Sequence, residues 1–299
     1  MNKKILLSTL IAFTLGLSGC QSSITVNPDN KQTVVVPKSP SKVVVMNYGA
    51  LDTLDALGKG SIVVGTPLSV LPSYLEQYKS VSDTGSMKEP SIDAIKQVKP
   101  QLIVIDGRQA SRTEELSKIA PVINLSVDAK NYLESTKNHI NVLADITGTK
   151  KKAEDLIQLL DTKVTNAQAV AQASHKKAIV AIHNDGKMIL INGSSSAALI
   201  HDVLKVKRAV PLTPQPSGKP KPTFIDNSYI SKVKPDIVYV VDRSKAIGQS
   251  AMKNDFLNPK VLAKSKTEVI YLTPDLWYLS GGGIESLDRQ IDEVINALK

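Results

Sequence analysis

One stretch of this chain occurs twice. Residues 95–108 read IKQVKPQLIVIDGR and residues 230–243 read ISKVKPDIVYVVDR; the copies align without a gap, and both end on arginine. Each has the same grammar: the tail of an amphipathic helix, a Lys-Pro break, an aliphatic run and a short polar turn. Proline cannot continue a helix, because it lacks the N–H and its ring meets the preceding turn. A short aliphatic run with few polar residues reads as a strand buried on both faces of a parallel sheet. The turn after such a strand lies at its carboxyl end, where open α/β sheets bind ligands. The chain therefore reads as two similar α/β lobes, presenting Arg108 and Arg243 at the mouth of a cleft. That arrangement suits a two-lobed binder of an anionic small molecule.

A chain of 299 residues can bury one large core or two ordinary ones. At 42% hydrophobic and 22% charged it is globular. The formal charge of +9 raises nucleic acid as a partner, but the lysines are dispersed, as in Lys150-Lys151-Lys152. No basic stripe interleaved with aromatics, zinc spacing or RNA-binding signature accompanies them, so no nucleic-acid partner is expected. The single cysteine, Cys20, excludes an intrachain disulfide. A basic start (residues 1–4) and a short apolar run (residues 5–17) precede Leu17-Ser18-Gly19-Cys20. This is a secretory signal, too short for a membrane span of about 20 residues. Its last four residues match the bacterial lipobox, which implies acylation of Cys20 and anchoring by lipid chains.

The organisation follows. Residues 1–19 read as the signal peptide and 20–41 as a polar tether; residues 42–149 form the first lobe. In that lobe, residues 42–46 (KVVVM), 61–65, 101–105 and 122–125 read as strands. Helices are expected after Asn47-Tyr48-Gly49, over 91–98 and over 112–119. Helical spacing then runs without strands to about residue 174, interrupted by Gly148, which predicts two helices. The second, within residues 150–175, is longer than a typical globular helix and reads as a strut between lobes. Residues 176–299 repeat the pattern: strands at 177–183, 188–191 and 269–272, a helix AALIHDVLK after Ser196, a loop at 215–222 (QPSGKPKP), and a closing helix over 284–298.

Arg108 and Arg243 are the leading site candidates, since a guanidinium stays charged and makes forked bonds to anionic oxygens. The alternative for each is an ion pair with a neighbouring carboxylate, Asp106 or Asp242. The segment Trp277-Tyr278-Leu279-Ser280-Gly281-Gly282-Gly283 holds the only tryptophan and follows a strand, so it too sits at a carboxyl edge. Tyr278 offers a hard phenolate oxygen suited to ferric iron, though the aromatic pair could equally plug the lobe interface. Tyr48, at the first turn, and Lys219 complete the candidate ligand contacts. His139 and His175 read as solvated, His201 as packed, and His183 as a strand end that could reach a cleft. No HExxH motif, cysteine pair, GxSxG elbow, Walker loop or dinucleotide fingerprint occurs, so no catalytic constellation or cofactor is expected.

The segments KVVVMNYGALDTLDALG, LIVIDGRQ, LIHDVL, IVYVVDR and LWYLSGGGIESL resemble the periplasmic ferric-siderophore-binding lipoproteins of ABC importers, in their enterobactin-type and FatB-like branch. The resemblance spans the chain after the tether. It implies a fold of two Rossmann-like lobes joined by one long helix, the class III periplasmic-binding-protein fold. It implies that Arg108 and Arg243 bind an anionic ferric catecholate and that Tyr278 can ligate iron. It also implies docking to a permease through acidic residues at the starts of the repeated helices. Asp93 fits the first position; the second is Ser228, with Asp226 close by. Two positions depart from the pattern: a third arginine is replaced by Ser196, and an iron-ligating histidine by Ser217. Lys219, Lys221 or Lys88 could restore positive charge. The expected function is a lipid-anchored, extracytoplasmic, monomeric substrate-binding protein that captures a ferric siderophore and delivers it to a permease. The alternatives are a haem or cobalamin binder of the same fold and, in a different class, an extracytoplasmic enzyme.

Overall fold

The computed structural model describes residues 22–29, 32–212, 222–253 and 256–299. A hairpin of β1 (Ser23–Val26) and β2 (Val34–Pro37) leads in. The first lobe carries a parallel sheet of β3 (Val43–Val45), β4 (Val63–Thr66), β5 (Ser82–Asp83), β6 (Leu102–Ile105) and β7 (Val122–Asn124), in the order β5-β4-β3-β6-β7. The second carries β8 (Lys177–Asn184), β9 (Lys187–Leu190), β10 (Lys207–Arg208), β11 (Ile237–Asp242) and β12 (Glu268–Leu272). Its parallel order is β10-β8-β11-β12, with β9 antiparallel on β8. The repeated strands β6 and β11 occupy the same place, each between the first and last strands of its lobe.

The repeat is structural down to its caps. Ser91 accepts the Ala94 N–H at 3.4 Å and Asp226 accepts the Tyr229 N–H at 2.7 Å, starting the two repeated helices, Ile92–Val98 and Asn227–Val233. Both helices end on a left-handed lysine, Lys99 (φ 51°) and Lys234 (φ 48°), with proline behind it. The aliphatic runs are buried on both faces, as their composition requires. In β6, Leu102 and Val104 face one core and Ile103 and Ile105 another; in β11, Ile237, Tyr239 and Val241 alternate with Val238 and Val240.

A helix at Lys150–Ser174 joins the lobes. Its 25 residues span roughly 37 Å. It buries Ala153, Leu160, Val164, Ala167 and Ala171, while Lys163 pairs with Asp288 (2.6 Å) and Asp292 (2.9 Å) of the closing helix, Ile284–Asn296. The preceding helix, Tyr132–Thr147, stops at Gly148 in the left-handed conformation (φ 72°). One hydrophobic cluster runs from Val43 through Leu160 and Ala171 to Tyr239 and Ile291, so the lobes share a core.

Several sequence expectations need correction. Much of the stretch read as a tether forms the β1–β2 hairpin, because alternate valines, Val26 and Val36, reach the main core. His139 is buried rather than solvated, since its helix packs its polar-looking face under that hairpin. Burial pushes its imidazole down to about 4. His201 is packed as expected, its Nδ1 2.8 Å from the Val206 carbonyl. The helix after Ser196 is wound with π-type spacing over Ala198–Val203, and the loop after β12 contains a short helix, Pro274–Tyr278. Cys20 and most of the 215–222 loop lie outside the described residues.

The closing helix is tied to the first lobe by a buried carboxylate. Asp52 accepts the N–H groups of Glu285 (3.3 Å) and Ser286 (3.1 Å) and the Tyr74 hydroxyl (3.2 Å). The approach requires glycine at 283, where a Cβ would collide with the Asp52 carboxylate. Burial raises the Asp52 carboxyl from 3.8 to about 7, outweighing the hydrogen bonds from Ser286, Tyr74 and Glu285 that pull the other way. The folded protein thus retains a proton that the unfolded chain releases. That contribution to stability is full at low pH and is lost as pH rises from about 4 through about 7. Urea unfolding of wild type and Asp52→Asn at about pH 5 and about pH 8 should show the wild type losing ground to Asn at the higher pH. A pH-independent difference would contradict the raised carboxyl.

Candidate functional site

Tyr278 ends the short helix that follows β12, and the arginines of both lobes close on it. Arg243 donates its Nε–H to the Tyr278 hydroxyl at 2.8 Å, and Arg108 donates from Nη2 to the Tyr278 carbonyl at 2.6 Å. Both guanidinium carbons also approach the ring, at 5.5 Å from its centroid for Arg243 and 5.7 Å for Arg108. The turn, the aromatic segment and the two repeat arginines therefore form one cluster at the carboxyl ends of both sheets.

Each arginine is positioned locally, in a different way. In the first lobe, Asp106 caps the 3-10 turn Gly107–Arg112. Its Oδ1 accepts the Arg108 N–H at 2.6 Å, its own N–H donates to Gln109 Oε1 at 2.9 Å, and its Oδ2 holds Arg108 Nη1 at 2.6 Å. Gln109 is buried and donates to the Met87 carbonyl, which anchors the turn. In the second lobe, Asp242 faces His183 Nδ1 (2.8 Å) and the N–H groups of Met252 (2.7 Å) and Lys245 (3.1 Å). Burial works against its ionisation, yet these hydrogen bonds prevail and hold its carboxyl below the usual range. Arg243 instead donates from Nη1 to Asn184 Oδ1 at 2.6 Å, and it has no carboxylate at ion-pair distance among the described residues. The ion-pair alternative thus holds for Arg108 with Asp106, not for Arg243 with Asp242.

Two openings flank the cluster. One, of about 460 Å³, lies between the lobes and is lined by Arg108, Ser126, Ser196, Trp277 and Tyr278 among others. The other, of about 950 Å³, opens on the second lobe beside Arg243, Asn184, Ser244 and Lys253. Ser196, the position at which the resemblance implied an arginine, lines the inter-lobe cavity.

The remaining candidates are distributed unevenly. Trp277 borders the inter-lobe cavity but is nearly buried, its Nε1–H donating to Glu293 at 2.8 Å. Tyr48 is a correction: it is fully buried, and its hydroxyl donates to the Pro67 carbonyl at 2.8 Å, because the first turn of its helix packs into the sheet. His183 reaches the edge of the second-lobe cavity, but its Nε2 accepts the Gly186 N–H (3.1 Å) while Nδ1 faces Asp242, so neither nitrogen is free for a metal. No cluster of three or more metal-ligating side chains of His, Cys, Asp or Glu type occurs among the described residues. Asp93 and Asp226 are exposed at the starts of the two repeated helices, with Asp226 also serving as a cap. Lys88 is exposed, and Lys219, Lys221 and Ser217 lie outside the described residues.

Asn184 was missed by reading the sequence, whereas the pairing of Asp106 with Arg108 was one of the two readings it offered. A signal for the first exists: the opening strand of each lobe runs into an asparagine, Asn47 and Asn184. The pairing of His183 with Asp242 in the sheet then sets Asn184 beside Arg243.

The model of the family described as periplasmic binding protein matches residues 43–276. The petrobactin-binding protein YclQ of Bacillus subtilis is 38% identical over 90% of this chain and 86% of its own. The ferric-anguibactin-binding protein FatB of Vibrio anguillarum is 29% identical over 89% of this chain and 85% of its own. The crystal structure of YclQ superposes with a TM-score of 0.85 over 93% of this chain and 99% of that one. The periplasmic catecholate-siderophore-binding protein VctP of Vibrio cholerae superposes with a TM-score of 0.79 at 25% identity, over 91% of this chain and 99% of that one.

Proposed function

This chain belongs to the periplasmic binding protein family, and on that premise we propose that it captures an anionic ferric catecholate siderophore between its lobes and delivers it to an ABC-importer permease. The observation that carries the reading is the convergence of Arg108 and Arg243, one from each lobe, on Tyr278 at the carboxyl ends of both sheets. Two guanidiniums meeting on one tyrosine, one from each lobe, suit catecholate oxygens around a ferric ion, each a charge-assisted acceptor. The neutral partners of Arg243, an amide oxygen and a phenol, can be exchanged for a ligand without exposing a buried carboxylate. The names of the relatives support a siderophore ligand, and that of VctP a catecholate. Asp93 and Asp226 are the proposed permease contacts, being exposed carboxylates at the starts of the two repeated helices, Asp93 in the first turn and Asp226 at the cap. Acylated Cys20 is the proposed membrane anchor, with the folded part acting outside the cytoplasm as a monomer.

Arg108→Ala or Arg243→Ala should weaken ferric catecholate binding roughly ten- to hundredfold, as expected for loss of one charge-assisted contact of about 1.5–3 kcal/mol. Fluorescence titration through Trp277 measures this, and unchanged affinity in both variants would refute the two-arginine cleft. The two losses should be similar in size, because each variant removes one positive charge and Arg108→Ala also leaves Asp106 without its partner. Direct ligation of iron by Tyr278 predicts a changed ligand-to-metal charge-transfer band when a tetradentate bis-catecholate complex binds. Tyr278→Phe should abolish that change, whereas an identical spectrum would leave Tyr278 as a wall of the pocket. Cys20→Ser should release the protein from the membrane fraction; a wild-type protein found soluble with an unmodified thiol would contradict the anchor.

A further inference from the structure

We infer that Asp106 sets the charge selectivity of the cleft by neutralising Arg108, so that the arginine pair presents one excess positive charge rather than two. The inference rests on the catecholate reading above and names the kind of complex the site prefers: a ferric complex of low net negative charge.

The two arginines are equivalent in the sequence repeat but not electrically. Arg108 is ion-paired to Asp106 at 2.6 Å, with the side chains 29% and 15% exposed. Water screens such a pair less than one on the open surface. Arg243 has an amide oxygen and a phenol instead. Asp106 cannot readily swing out of the cleft wall. Its Oδ1 caps the Arg108 N–H, and its own N–H is bound by Gln109, which is buried and tied to Met87. The carboxylate is therefore a fixed part of the inter-lobe cavity, which it lines together with Arg108 and Tyr278. Asp242, the corresponding carboxylate of the second lobe, is directed at His183, Met252 and Lys245.

A fixed negative charge in the wall repels a bound anion in proportion to the anion's own charge. It penalises a trianionic ferric tris-catecholate more than a monoanionic ferric bis-catecholate. The bis-catecholate also leaves two iron positions open, which fits the iron ligation proposed for Tyr278. Ser196 acts in the same direction, as a neutral residue in the cavity lining.

The test compares wild type and Asp106→Asn for binding of a ferric bis-catecholate and a ferric tris-catecholate at low and high salt. Asparagine keeps the capping oxygen and removes the charge. The variant should gain on the order of tenfold more affinity for the trianionic than for the monoanionic complex, and its trianion binding should depend more steeply on salt. Asp106→Ala, which also deletes the cap, should melt at a lower temperature yet show the same selectivity shift. Equal changes for both complexes, with salt dependence unaltered, would reduce Asp106 to a turn cap and overturn the inference. Binding of neither complex by the wild type would overturn instead the catecholate reading on which it rests.

Discussion

The two lobes share one hydrophobic core. Apolar side chains from β3 and β6, the bridging helix, β8 and β11, and the closing helix belong to a single buried cluster. Separating the lobes would expose that surface at about 25 cal/mol per Å². The lobes are thus held as neighbours by the same burial that folds them, and the cleft is the rim of a packed interface. Asp52 adds a directional tie, because a buried carboxylate capping the closing helix fixes that helix against the first lobe. The segment that carries Tyr278 runs directly into this helix, so the position of the phenol follows from the core.

The cleft's electrostatics follow from how each turn satisfies its own backbone. A sharp turn after a buried strand leaves N–H groups that need acceptors, and an aspartate supplies them in both lobes. In the first lobe the same carboxylate has an oxygen left for Arg108. In the second, Met252 and His183 take up the remaining capacity, and Arg243 turns to Asn184 and Tyr278. Local capping needs have made a sequence repeat into an electrically asymmetric pair.

Much of the architecture was legible in the repeat. Periodicity and the Lys-Pro breaks located the two central strands, the helices before them and the arginines after them, because these are local consequences of backbone chemistry. The bridging helix was legible for the same reason, with an uninterrupted helical pattern from 150 to 174. The lead-in hairpin was not, since four-residue strands among polar residues carry little periodic signal and form only because Val26 and Val36 find a core to enter. His139 was misread on the same ground: the side chains flanking it in sequence do not report what packs over them.

The sequence by itself determined that there are two lobes, that each ends its central strand in a cationic turn, and that an aromatic, glycine-rich segment lies at a third strand end. These are properties of residue order and of what a peptide backbone allows. Only the tertiary structure decided that Tyr48 is a core residue, that Arg108 and Arg243 meet on one tyrosine, and that, among the described residues, Arg108 has a carboxylate partner and Arg243 has none. Such outcomes depend on distances between residues as far apart in the chain as Arg108 and Tyr278, and those distances are set by the packing of the shared core.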